Sequence, residues 1–112
     1  MVYIGQSLES RKWGFQIIEH SNRIMRILDE DYPFMAITEA LQFVEVLKSS
    51  TMKSVRDRDT NAYGYVLMHN NKVIKEEFGW SSPDEVMIFI ADFQNAIKEG
   101  VKMKPDFLSK KI

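Results

Sequence analysis

The chain has 112 residues, with 15 basic against 16 acidic side chains and no cysteine. Its length fits a single domain over residues 1–112, and its near-neutral charge gives no general attraction to nucleic acid or to anionic membranes. The absence of cysteine excludes disulfides, thiolate zinc sites and cysteine nucleophiles, and no secretory or membrane-spanning pattern stands in the sequence, so we expect a soluble cytoplasmic protein without a membrane partner.

The first predicted strand pair follows the N-terminal stretch. Residues 11–19 (RKWGFQIIE) are rich in aromatic and β-branched side chains, which favours a strand. Residues 20–22 (HSN) are turn formers, so residues 23–28 are predicted as the returning strand. An acidic stretch interrupts this pattern. Pro33 then opens a predicted helix that ends at about Lys48, because proline is tolerated at the first helical position.

A polar and charged segment over residues 49–61 is predicted as the loop that connects the two halves of the chain. The next strand is predicted over residues 62–69 (AYGYVLMH). Asn70 and Asn71 favour a two-residue turn, because asparagine tolerates a positive φ. The returning strand is predicted over residues 72–80 (KVIKEEFGW).

The second helix has a strong start signal. Ser82 is a suitable N-cap, Pro83 follows at the first helical position, and Glu85 stands where a capping box requires an acidic side chain. The helix is predicted to run to Glu99. Gly100 is well placed to end it in the left-handed conformation.

The two halves match at a spacing of about fifty residues. The matched positions include Trp13 and Tyr63, Gly14 and Gly64, Phe15 and Tyr65, Pro33 and Pro83, Phe43 and Phe93, Leu47 and Ile97, and Lys48 and Lys98. We interpret this as a tandem ββα repeat, with repeat one over about 11–48, repeat two over about 62–100 and a tail over 101–112. The predicted fold is α+β: an antiparallel sheet of about four strands with two helices packed on one face.

Side chains alternate between the two faces of a strand, and this alternation gives the predicted sheet two apolar faces. The candidate interface or ligand face consists of Trp13, Phe15, Ile17, Tyr63, Tyr65 and Leu67. The reverse face carries Ile18, Val66 and Met68. If the helices cover one face, the other favours a homodimer that buries it, or a covering by the terminal segments VYIGQSL and MKPDFL. Whether the aromatic face is core, dimer interface or binding surface stays open.

The sequence carries no recognisable catalytic or cofactor motif. His20 and His69 stand near the two predicted turns, but no HExxH spacing or acidic ladder accompanies them. Gly14 and Gly64 lie within predicted strands, where glycine indicates close packing or a bulge. We therefore predict no enzyme, no catalytic residue, no cofactor and no metal.

Two binding hypotheses remain. The favoured one is a small protein-interaction or regulatory module that forms a homodimer through an apolar sheet face and has a possible protein partner. The alternative is a single-stranded nucleic-acid-binding sheet in which the aromatic side chains stack on bases. Its candidate basic contacts are Arg11, Arg23, Arg26, Lys72 and Lys75, with Lys12 nearby. A small-molecule pocket at the dimer interface is a third possibility.

The tandem order, the period near fifty and the stretch GYVLMHNNKVIKEEFGW resemble a group of small bacterial tandem-repeat proteins of the YegP type. The resemblance covers the two hairpins and their helices. The glycine–isoleucine pair that this group has in its helix is absent here. The resemblance implies a tandem-repeat fold and supplies no catalytic residues.

Overall fold

The computed structural model of the chain describes residues 1–7, 10–19, 22–27 and 34–103. In the first half, three strands precede a helix: β1 (Val2–Gln6), β2 (Trp13–Glu19), β3 (Asn22–Ile27) and α1 (Ile37–Lys48). The second half has the same order, followed by a short strand: β4 (Thr51–Arg56), β5 (Tyr63–His69), β6 (Lys72–Trp80), α2 (Pro83–Glu99) and β7 (Val101–Met103). The predicted α+β class with two helices is confirmed.

The strands form two sheets. The first has four strands in the order β3-β2-β1-β7, and the second has three in the order β4-β5-β6. Every pair is antiparallel except β7, which runs parallel to β1. The prediction of one sheet that combines both hairpins is therefore not what the described residues show, because each hairpin acquires its own third strand.

Strands β1 and β4, which the two hairpins acquire, lie in segments that were not predicted as strands. β1 lies in the N-terminal segment, which was considered only as an alternative cover for a sheet face, and β4 lies within residues 49–61, which were predicted as a loop. Thr51, Lys53 and Ser54 of β4 are exposed. A strand with so many polar, exposed positions lacks the apolar alternation by which a half-buried strand is recognised.

The helix starts differ in how well local sequence determines them. α2 begins at Pro83 as predicted, and its N-cap Ser82 accepts a hydrogen bond from the Glu85 N–H at 3.4 Å. α1 begins at Ile37, later than predicted, because Phe34 is held in a β-bridge with Trp13. The predicted starting residue, Pro33, lies outside the described residues.

One hydrophobic core lies between the sheets and the helices. Its buried members are Val2, Ile4, Phe15, Ile17, Ala40, Val44, Leu47, Tyr65, Leu67, Val86, Ile90, Phe93, Ala96 and Ile97. Helix α2 contacts strands of both sheets, and α1 contacts β2 and α2. The two halves therefore share one interior. Neither helix of the described chain is long and apolar enough to cross a membrane.

Candidate interaction surface

The aromatic sheet face lies in the core. Phe15, Ile17, Tyr65 and Leu67 are fully buried. Trp13 and Tyr63, the remaining members of the candidate interface or ligand face, are half-buried and pack against the same cluster. Both sheets direct this set of side chains toward the helices. Phe15, Ile17, Tyr65 and Leu67 are therefore interior, while Trp13 and Tyr63 lie at the margin of the core.

Two aromatic clusters organise this interior, one in each half. In the first, Phe15, Phe34 and Phe43 have ring centroids 5.3–6.0 Å apart. The second comprises Tyr65, Trp80 and Phe89, at 5.0–5.9 Å. These distances are typical of favourable aromatic pairs, so the aromatic side chains are used for packing.

The nucleic-acid hypothesis loses Phe15 and Tyr65 as stacking side chains, because bases cannot stack on buried rings. The basic residues are also dispersed: Arg11 lies beside the start of β2, and Lys72 begins β6 in the other sheet. Lys75 is largely buried, with its Nζ 3.6 Å from Glu77 Oε1. Arg23 and Arg26 lie on β3, at the edge of the first sheet.

Strands β1 and β2 present mainly small or buried side chains on the outer face of the first sheet. Gly5 and Gly14 pair directly across β1 and β2, and both are buried. Their neighbour Gln16 is only 6% exposed, and its Oε1 has no hydrogen-bond partner. Among the β1 and β2 side chains whose burial is described, Tyr3 and Ile18 are the large apolar ones on this face, and both are half-buried.

The outer face of the second sheet is different. We use this name for five apolar side chains that point away from the core: Val55, Val66, Met68, Val73 and Phe78. Val73 is 55% exposed and Phe78 40%, and the other three are half-buried. Met68 pairs directly with Val73, and Gly64 lies between Val55 and Phe78. The patch is therefore continuous across all three strands.

Two opposite charges flank the middle of this face. Lys53 on β4 and Glu76 on β6 both pair with Val66 of the central strand, and both are exposed. One edge of the patch is therefore positive and the other negative at the same height along the strands. The sequence indicated the apolar character of Val66 and Met68. It did not indicate Lys53 or Val55, because β4 was predicted as a loop.

Gly64 is required by the local geometry of this sheet. A Cβ at this position would overlap the carbonyl oxygen of Glu77 and would lie 2.8 Å from Phe78 Cα. The pairing of β5 with β6 also shifts register between Tyr63 and Gly64. The prediction that this strand glycine marks close packing or a bulge is confirmed for Gly64.

Of the two histidines, His69 is the one that the described residues include, and it contacts a serine hydroxyl. His20 lies outside the described residues, and His69 has its Nε2 3.0 Å from Ser49 Oγ. The Ser49 hydroxyl donates to the carbonyl oxygens of Glu45 and Val46, at 3.3 and 3.2 Å. Which of the two groups donates in the His69–Ser49 hydrogen bond depends on the tautomer of the imidazole. Within the described ranges, no three His, Cys, Asp or Glu side chains are grouped to hold a metal.

Comparison with known proteins identifies no relative. No family model, no curated protein and no solved structure matches the chain. The likeness to tandem-repeat proteins of the YegP type thus stays a resemblance.

Proposed function

We propose that the protein is a small interaction or regulatory module, not an enzyme, and that it forms a homodimer through the outer face of the second sheet. The observation that carries this proposal is the continuous, partly exposed apolar patch on that face. Exposed apolar side chains grouped on one sheet face favour association, because a partner that covers them removes apolar surface from water. The aromatic interior plays no part in the contact.

The charges on either side of Val66 select the symmetry of the dimer. In a two-fold dimer whose axis runs along β5, each copy places its Lys53 against the partner's Glu76. An axis across the strands would instead place Lys53 against the partner's Lys53. The first arrangement has two attractive contacts and the second has repulsive ones, so we propose an axis along β5.

The same two-fold axis also places apolar side chains of one copy against apolar side chains of the other. Val66 and Met68 on the central strand meet their own copies, and Val55 meets the partner's Phe78. Sheets packed face to face lie about 10 Å apart with their strands within about 30° of each other. This geometry supports a contact in which strand directions stay aligned.

The patch is small, and we therefore expect a weak dimer. Three strands about 4.8 Å apart, each contributing about five residues at 3.4 Å, define a face of roughly 14 by 17 Å. Stable interfaces cover more surface than this. The expected dimer is transient, and the protein exchanges between monomer and dimer. Such a module can respond to its own concentration or to a competing protein partner.

Charge reversal tests the proposal. Analytical ultracentrifugation should find a dimer of the unchanged chain at high micromolar concentration. K53E places two carboxylates against each other at both contacts, and E76K does the same with two ammonium groups. Each single variant should weaken the dimer at least tenfold. The double variant K53E/E76K restores opposite charges and should dimerise like the unchanged chain.

The matched control is R58E, because Arg58 is exposed in the β4–β5 turn and lies outside the patch. R58E should dimerise normally. A monomer at high micromolar concentration, or equal dimerisation of K53E, E76K and R58E, would contradict the proposal.

We also infer that the two halves are a tandem repeat, with three strands before each helix in place of the two expected from the sequence. The shared element order and the matched positions about fifty residues apart support this inference. The proposal keeps the expected cytoplasmic location, since a chain without cysteine needs no oxidising compartment.

A further inference from the structure

A cleft lies where the last turns of both helices meet the start of β4. Its volume is about 290 Å³. Leu47, Phe93 and Ile97 form an apolar floor that continues into the core, and Met52 of β4 adds to it. The cleft is separate from the outer face of the second sheet, because Met52 points to the core side of that sheet.

Two lysines line this cleft. Lys48 is in the last turn of α1, and Lys98 is in the last turn of α2. They stand at matched positions of the two halves, as do Leu47 and Ile97 beneath them. In the part of the chain that the structure describes, no carboxylate lines the cleft. The cleft therefore combines an apolar floor with two cations at its rim, and matched positions of the two halves supply both features.

The nearby charges leave these ammonium groups available. Lys48 Nζ is 3.1 Å from Glu45 Oε1, but both side chains are largely exposed, and an exposed ion pair of this kind contributes little. The hydroxyl of Ser50, another lining residue, donates to the Leu47 carbonyl at 2.7 Å and is thereby occupied. The lysines also complement the helix dipoles, which explains their positions but not the apolar floor between them.

We propose that this cleft binds a small amphiphilic carboxylate, such as the anion of a medium-chain fatty acid. The apolar chain would lie on the floor and the carboxylate between Lys48 and Lys98. If each non-hydrogen atom occupies about 25–30 Å³, close to the share of a water molecule in the liquid, the cleft holds on the order of ten atoms. The lining combines four apolar and four polar side chains, Gln94 among the polar ones, and polar groups that converge over apolar side chains orient the ligand in many small-molecule sites.

The test is a titration of the unchanged chain with decanoate, followed by amide chemical shifts in two-dimensional NMR. Decanol and the decyltrimethylammonium cation serve as probes with the same chain and a neutral or positive head. Decanoate should shift the amides around Leu47, Met52 and Phe93, with a dissociation constant in the high micromolar to millimolar range. The cation should bind at least tenfold more weakly.

The variant K48Q/K98Q keeps the length of both side chains close to that of lysine and removes both charges. It should bind decanoate about tenfold more weakly and decanol as before. K102Q, which removes an exposed lysine of β7 that lies outside both the cleft and the outer face of the second sheet, should leave decanoate binding unchanged. Absence of decanoate binding, equal binding of the cation, or unchanged affinity in K48Q/K98Q would each overturn the proposal.

This result does not depend on the dimer. A chain that is monomeric by ultracentrifugation can still bind decanoate, and a dimer whose cleft is empty can still form. A negative result in one experiment therefore leaves the other proposal standing.

Discussion

The Phe78 ring lies over the Cα of Gly64, on the neighbouring strand of the second sheet. A Cβ at Gly64 would stand 2.7 Å from Phe78 Cδ1 and 2.8 Å from Phe78 Cα. Atoms in folded proteins do not approach this closely, so the contact requires glycine. It fixes both the bulge in β6 and the position of the exposed Phe78 ring on the outer face.

Substitution G64A should therefore destabilise the protein strongly. The added methyl must displace backbone of β6 and not merely a mobile side chain, and we expect a loss of roughly 3–4 kcal/mol in the free energy of unfolding. Urea denaturation followed by circular dichroism measures it. G79A is the comparison, because Gly79 has a φ of 144° but open space around its Cα. Its cost should be limited to backbone strain of about 1–3 kcal/mol. Equal costs for the two variants would refute the proposed close contact.

A pair of phenylalanine truncations tests which apolar face is the interior. F15A removes a fully buried ring and should cost about 3–5 kcal/mol of stability. F78A removes a ring that is 40% exposed and should cost about 1 kcal/mol, while it weakens the dimer. Thermal denaturation combined with ultracentrifugation measures both effects. A stable F15A variant that loses only dimerisation would mean that the faces are assigned the wrong way round.

Removal of the α2 cap should have a moderate effect. In S82A the Glu85 N–H loses its side-chain acceptor, and we expect a loss of about 1 kcal/mol in stability. S82T keeps a hydroxyl at the same position and should retain most of the stability. Urea denaturation of both variants is the measurement. If S82A and S82T are equally stable, the hydroxyl does not cap the helix.

At the N-terminus of α1, a substitution should increase the stability of the protein. Its N-cap position is Ala36, which has extended backbone angles but no side-chain acceptor. Substitution A36S should supply one and stabilise the protein by about 0.5–1 kcal/mol. A36V, which adds bulk without an acceptor, is the control and should give no such gain. A rise in melting temperature for A36S alone is the expected result.

The sequence predicted those elements whose signals are local. Asn70 and Asn71 have φ values of 51° and 63°, as the predicted turn requires, and Ser82 caps α2 through its own side chain. The start of α1 could not be predicted in the same way. Phe34 exchanges two backbone hydrogen bonds with Trp13, at 2.8 and 3.2 Å, and that pairing is tertiary.

The candidate surface was only partly predictable for a related reason. Strand alternation correctly separated the aromatic side chains from Val66 and Met68. It could not decide which of the two sets the helices cover, because that depends on how the sheets pack. The position of Lys53 on this face could not be predicted from the sequence. The composition of β4 does not indicate a strand, and the strand forms because it pairs with β5.

The short strand β7 has a consequence for how the molecule unfolds. Val101 follows α2 in sequence but pairs with Val2 of the first sheet, and the Val2 N–H donates to the Gly100 carbonyl at 2.9 Å. The second half therefore contributes a strand to the sheet of the first, while α2 supplies side chains to the interior that both share. Neither half can be removed without opening the other. Despite its two similar parts, the chain should melt in one cooperative transition, unlike a string of independent repeats.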